Sequence, residues 1–148
     1  MATIPVVGLD VDGVIALDEP VATPTLDFTV SAWGRWRREI RVPVQAADVV
    51  ARLAEVCEIV WVSAWGHNAH TALAPILHLP ERPWLFLPVQ FDKPSALARY
   101  AGERPWVLIE DSVGGGADGA FGGHVVLVDP TRGIAEIDAD DLCARVAG

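Results

Sequence analysis

Ile4-Pro5-Val6-Val7-Gly8-Leu9 runs directly into Asp10-Val11-Asp12-Gly13-Val14, and this junction decides the fold. A short apolar run of this kind reads as a strand buried on both faces of a parallel sheet. Side chains leaving its C-terminal end project into the crevice where open α/β sheets bind ligands. Asp10 and Asp12, separated by one residue, repel each other there unless something compensates. A bound cation, a shared proton, or an acid working beside a nucleophile would each do so. Gly13 lets the backbone turn sharply away. The competing reading is a strand that ends in a solvated acidic turn. An EF-hand loop is excluded, because Gly13 comes too early and the preceding segment is strand-like.

Working outward, apolar runs recur at Glu58-Ile59-Val60-Trp61-Val62, Trp84-Leu85-Phe86-Leu87, Trp106-Val107-Leu108-Ile109 and Val125-Val126-Leu127-Val128. Between them Val49, Val50, Leu53, Ala54 and Val56 repeat at helical spacing over 44–56. Further helices are predicted over 70–77, 94–100 and 139–146, the second with Pro94 in its first turn. Residues 28–42 read as a β-hairpin, with Thr29, Val30 and Trp33 outbound, Gly34 near the turn, and Trp36, Ile40 and Val42 returning. Residues 14–27 read as irregular, and 114–123 as a Gly-rich loop. Strands alternating with helices predict an α/β fold: a parallel sheet of about five strands with helices on both faces. Residues 1–148 are expected to form one domain.

Apolar residues make up 51% of the chain, which excludes a disordered protein. No apolar stretch approaches membrane-spanning length and no leader pattern opens the chain, so a soluble, cytoplasmic protein is expected. The net charge of −9 argues against broad, non-specific nucleic-acid binding. Four arginines (Arg35, Arg37, Arg38, Arg41) nevertheless cluster beside Trp33 and Trp36, and Lys93 is the sole lysine. Cys57 and Cys143 read as core residues rather than a disulfide framework.

The residues just past the strand ends form a legible set. The first strand offers Asp10 and Asp12, the second Ser63, the fourth Glu110, Asp111 and Ser112, and Lys93 follows the third. Parallel strands deliver them to one edge. Carboxylates at that density call for a hard divalent cation, and Mg²⁺ fits best. Lys93 and Ser63 could then hold an anion facing Asp10, an arrangement suited to phosphoryl transfer onto a carboxylate. Each residue has a plainer role open to it. Ser63 could cap a loop, Lys93 could be solvated, and Glu110-Asp111 could form a surface turn. His67 and His70 could contact substrate or mark a polar loop entering a helix.

In order and spacing, Asp10-Val11-Asp12-Gly13-Val14, the strand-final Ser63, Lys93 and Glu110-Asp111 resemble the four motifs of the haloacid dehalogenase (HAD) superfamily of Asp-dependent phosphohydrolases. The match spans about residues 4–129. The resemblance implies a three-layer Rossmann-like fold with Asp10 as nucleophile and Asp12 as acid and base. It assigns Ser63 and Lys93 to the transferring phosphoryl group, with Gly13 and Ala64 beside it. Mg²⁺ would be bound by Asp10, the Asp12 carbonyl and Asp111, with Glu110 binding directly or through water. Val60-Trp61-Val62-Ser63-Ala64-Trp65 and Asp129-Pro130-Thr131-Arg132-Gly133 are similar to small capless members, some associated with RNA repair.

The segment 14–45 has room only for a turn and a hairpin flap, and 87–93 has none for a cap domain. The hairpin with Trp33, Arg35, Trp36, Arg37 and Arg38 is therefore the expected specificity element, with Trp33, Arg35, Arg37 and His67 as expected substrate contacts, since Arg can grip a second phosphate and Trp can stack. The competing reading packs the tryptophans on the body and leaves the arginines in water. A phosphorylated small molecule or a nucleic-acid end is the expected substrate, no membrane partner is expected, and a homo-oligomer is open. One alternative is a HAD-fold binding or regulatory module without turnover. Another is a dinucleotide-binding domain built on Gly114, Gly116 and Gly119, but these lie several residues too late after their strand.

Overall fold

The computed structural model describes residues 4–32, 36–87, 92–111 and 124–147. Five strands form a parallel sheet: β1 (Val6–Leu9), β4 (Glu58–Val62), β5 (Phe86–Leu87), β6 (Trp106–Asp111) and β7 (Val125–Val128). Their spatial order is β5-β4-β1-β6-β7, so the first strand sits at the centre. β2 (Thr25–Ala32) and β3 (Trp36–Pro43) pair antiparallel as a separate two-stranded ribbon. The helices are α1 (Ala46–Val56), α2 (Asn68–Leu77), α3 (Lys93–Ala101) and α4 (Ala139–Ala147), with a short 3-10 helix at Gly133–Glu136. This is an α/β, Rossmann-like arrangement with the sheet as its middle layer.

Strand alternation assigns each helix its face. Val6, Val60, Val62, Trp106 and Leu108 form one apolar layer, closed by Leu97 and Ala101 of α3. Gly8 belongs to the same parity, and a Cβ there would come within 2.6 Å of Leu97 Cδ2, so glycine lets α3 lie close on the central strand. The other parity (Val7, Leu9, Ile59, Trp61, Val107, Ile109) is covered by α1, α2, α4 and the ribbon's Val30, Ile40 and Val42. Full burial of side chains such as Leu53, Leu73 and Leu97 contributes about 1.5–3 kcal/mol each.

The expected elements are all present, with shifted boundaries. Regular pairing begins at Thr25, so the irregular stretch is shorter than 14–27. The helices expected from 70 and 94 begin at Asn68 and Lys93. The edge strand expected over 84–87 is only Phe86–Leu87. Trp84 is diverted from the ladder, because its amide donates to His70 Nδ1 (3.3 Å) and its ring packs on Trp61 (centroids 5.9 Å). The Gly-rich stretch 114–123 and Ser112 lie outside the described residues. Among the described residues, no helix is long and apolar enough to cross a membrane.

Candidate active site

The register of the central strands builds the first half of the site. Leu9 pairs with Ile109, and the Asp10 amide donates to the Ile109 carbonyl (3.2 Å). Asp10 and Glu110 therefore stand side by side and share the parity of the α3 face. Lys93 opens α3 on that same face. Its Nζ lies 3.0 Å from Asp10 Oδ2 and 3.4 Å from Glu110 Oε1, with all three side chains largely withdrawn from solvent. Asp10 Oδ1 accepts the Val11 amide (2.7 Å). Burial pushes both carboxyls above the ordinary carboxylate range, although Lys93 pulls each back down. Burial alone would depress the Lys93 ammonium, but Asp10 and Glu110 outweigh it and hold Lys93 above the usual lysine value.

The turn after β1 builds the second half. Gly13 sits at φ +78° and donates to the Ala16 carbonyl (2.8 Å), while the amides of Ile15 and Ala16 fold back onto the Val11 carbonyl (2.9 and 3.0 Å). A Cβ on Gly13 would lie 2.2 Å from Asp111 Oδ2, so the Asp111 carboxylate packs directly on this turn. Adjacent residues on a strand point to opposite faces. Glu110 accordingly goes to Lys93 and Asp111 to Gly13. The Asp129–Gly133 stretch braces the same turn from outside. Ile134 donates to the Val14 carbonyl (2.8 Å), and a Cβ on Gly133 (φ +56°) would come within 2.3 Å of that oxygen.

Ser63, nearly fully buried, directly follows β4, and its Oγ accepts the Trp65 amide (3.2 Å). The hydroxyl thus shapes its loop through a lone pair while keeping its own hydrogen to donate. Ala64 is exposed beside it. The buried Trp65 then turns its indole toward the first turn, where Nε1 donates to Asp12 Oδ2 (3.2 Å). Arg38, from β3, approaches the other oxygen: its Nη2 lies 3.0 Å from Asp12 Oδ1, and its guanidinium sits 5.4 Å above the Trp65 ring.

Of the residues expected at the site, Asp10, Lys93 and Glu110 form one contact group, and Gly13 with Asp111 another. Trp65 links the Ser63 loop to Asp12. His67 is exposed at the start of α2 with its ring 6.1 Å from Phe86, and among the described residues no contact joins it to the acidic group. His70 is internal: Nδ1 accepts the Trp84 amide and Nε2 faces the Pro80 carbonyl at 3.0 Å, so it braces the loop before β5. Trp33 and Arg35 lie outside the described residues. Arg37 is exposed on the ribbon face opposite Ile40 and Val42, whereas Arg38 shares their inward parity. Sequence alone places Arg38 in the flap's basic cluster without separating it from Arg37, and it gives Trp65 no role at the site. The sole available signal was the register of residue 38 with 40 and 42.

No family model and no curated protein matches this chain. Its chemistry has to be read from the residues themselves.

The donor set tests the implied cation. Among the described residues no three His, Cys, Asp or Glu side chains converge as a ready-made metal group. Lys93 accounts for part of this, since its ammonium sits between Asp10 and Glu110. Mg²⁺ does not need such a cage: it is usually held by one or two carboxylates and several waters. The Gly13 cradle brings the Asp111 carboxylate against the turn that carries Asp10 and Asp12. An all-oxygen donor set at one strand edge therefore fits a hard divalent cation.

Proposed function

We propose that this chain is a Mg²⁺-dependent phosphohydrolase of the HAD type that removes a phosphate monoester through an aspartyl-phosphate at Asp10. The observation that carries the reading is Asp10 at the end of the central strand, touched by Lys93 at 3.0 Å, with Asp12 held in the turn that follows. The partly buried ammonium draws an anionic phosphoryl group toward a carboxylate that would otherwise repel it. Asp10 attacks phosphorus as the bond to the leaving oxygen breaks, and Asp12 gives that oxygen a proton. Asp12 then takes a proton from water, which attacks the same phosphorus, releases phosphate and restores the Asp10 carboxylate. Lys93 and the Ser63 hydroxyl hold the non-reacting oxygens.

Asp10, the Asp12 carbonyl and Asp111 would hold the cation, which supplies charge neutralisation between nucleophile and phosphate. Glu110 is committed to Lys93 and serves to orient it. The short 87–93 connection supports a capless member, with the β2–β3 ribbon as its flap. Phosphate release from a panel of nucleotides, sugar phosphates and 5′-phosphorylated oligonucleotides, with and without Mg²⁺, tests the reading. Release from at least one substrate, abolished by Asp10→Asn, is expected. Ligand binding with no release from any substrate would replace it with a HAD-fold binding module.

A further inference from the structure

Two cations flank the two aspartates, and they occupy unequal positions. Lys93 lies beside Asp10 and is almost withdrawn from solvent, with 14% of its side chain exposed. Arg38 lies beside Asp12 and is 41% exposed, on a ribbon that forms its own sheet. Its contact with Asp12 is purely one of charge. Asp12 Oδ1 is occluded, yet no described donor meets hydrogen-bond geometry with it, although Arg38 Nη2 stands 3.0 Å away. The guanidinium carbon lies 5.4 Å over the centroid of the buried Trp65 ring, a contact that does not use its N–H groups. A guanidinium has five donors arranged to grip a phosphate or carboxylate by two parallel bonds. Among the described residues that fork makes no hydrogen bond.

We infer that Arg38, seated on Trp65, is a specificity-determining residue that grips a second anionic group of the substrate, close to the ester oxygen that leaves. The inference rests on the reading of Asp10 as nucleophile and Asp12 as acid. Under it, Lys93 marks the side of the transferring phosphoryl group and Arg38 the side of the leaving group. The favoured substrate class is a phosphomonoester whose leaving group carries another phosphate or carboxylate, rather than one whose leaving group is neutral. When such a group arrives, the guanidinium exchanges its imperfect contact with Asp12 for two charge-assisted hydrogen bonds. Asp12 keeps the Trp65 indole hydrogen bond at Oδ2, so it stays oriented while Oδ1 is freed toward the leaving oxygen. The inward parity of Arg38 and the outward parity of Arg37 give this role to Arg38 rather than to Arg37.

The test is binding to the full-length Asp10→Asn protein with Mg²⁺, which cannot turn substrate over. Calorimetry would compare a nucleoside 3′,5′-bisphosphate with the matching 5′-monophosphate, in the presence and absence of Arg38→Ala. The bisphosphate is expected to bind about tenfold or more tightly, and Arg38→Ala to erase that advantage. Arg38→Lys, which keeps the charge but not the fork, should recover only part of it. Equal affinities in the Arg38-containing protein, or an advantage that survives Arg38→Ala, overturn the inference. Loss of binding to both ligands on Arg99→Ala, an exposed charge control on α3, would reduce the effect to net charge and overturn it as well. Binding that follows the expected pattern in a wild-type chain without turnover would sink the catalytic reading and leave the arginine clamp standing.

Discussion

Lys93→Met keeps most of the unbranched stem and removes the charged ammonium. In the folded protein Lys93 serves two carboxylates at once, at 3.0 and 3.4 Å, with side-chain exposures of 14%, 11% and 10% for Lys93, Asp10 and Glu110. At an effective dielectric of about 20, each contact is worth roughly 5 kcal/mol of attraction. Desolvation of the charged groups offsets most of this, and removing one partner of a buried pair costs about 3–5 kcal/mol. The variant leaves Asp10 and Glu110 adjacent with no intervening cation. Both are already pushed up by burial, and Lys93 is what draws them down. In the variant their folded-state values rise further above the unfolded ones, so the folded state binds more protons than the unfolded state. Stability must then increase as pH falls through the folded-state values toward the ordinary carboxylate value. Urea unfolding of both proteins at about pH 8 and pH 5 should show a deficit of ~3–5 kcal/mol that shrinks at the lower pH. A variant as stable as wild type at the higher pH, or a deficit that grows on acidification, would refute the account of this cluster.

Gly13→Ala should lower stability by about 2 kcal/mol or more, read as a fall in Tm, because the residue sits at φ +78° and its methyl would meet Asp111 Oδ2 at 2.2 Å. The same variant should lose most phosphate release, since Asp111 cannot hold its place. His70→Ala should cost about 1–3 kcal/mol by stranding the Trp84 amide and Pro80 carbonyl, measured by thermal melting. Burial, with Cys143 as neighbour, pushes the Cys57 thiol up to about 12. Cys57 should therefore resist a thiol-specific disulfide reagent near neutral pH until denaturant is added. Rapid labelling of the folded protein would count against its placement in the core.

The sheet was legible because its strands are short, unbroken apolar runs whose C-terminal residues carry the polar chemistry. Asp10, Ser63, Lys93 and Glu110-Asp111 could be ordered on that basis alone. The separate destinations of Glu110 and Asp111 were also implicit in strand alternation, once β6 is known to extend through both. Other features depend on long-range packing that local pattern does not encode. Arg37 and Arg38 have the same charge and the same neighbours in sequence, and only the pairing of β3 with β2, and its packing on the sheet, decides which one turns inward. Trp65 reads as one more core aromatic, because nothing local shows that its indole aims at an aspartate 53 residues earlier. The brace from Ile134 and Gly133 to Val14 was invisible for the same reason.

The most direct measurement is to quench wild-type protein with acid during turnover of its best phosphomonoester and map the modified residue by mass spectrometry. The account predicts one phosphoryl group on the peptide containing Asp10, attached to that carboxylate and missing in Asp10→Asn. Phosphate release through an enzyme modified elsewhere, or never modified while turning over in single-turnover sampling, would contradict it.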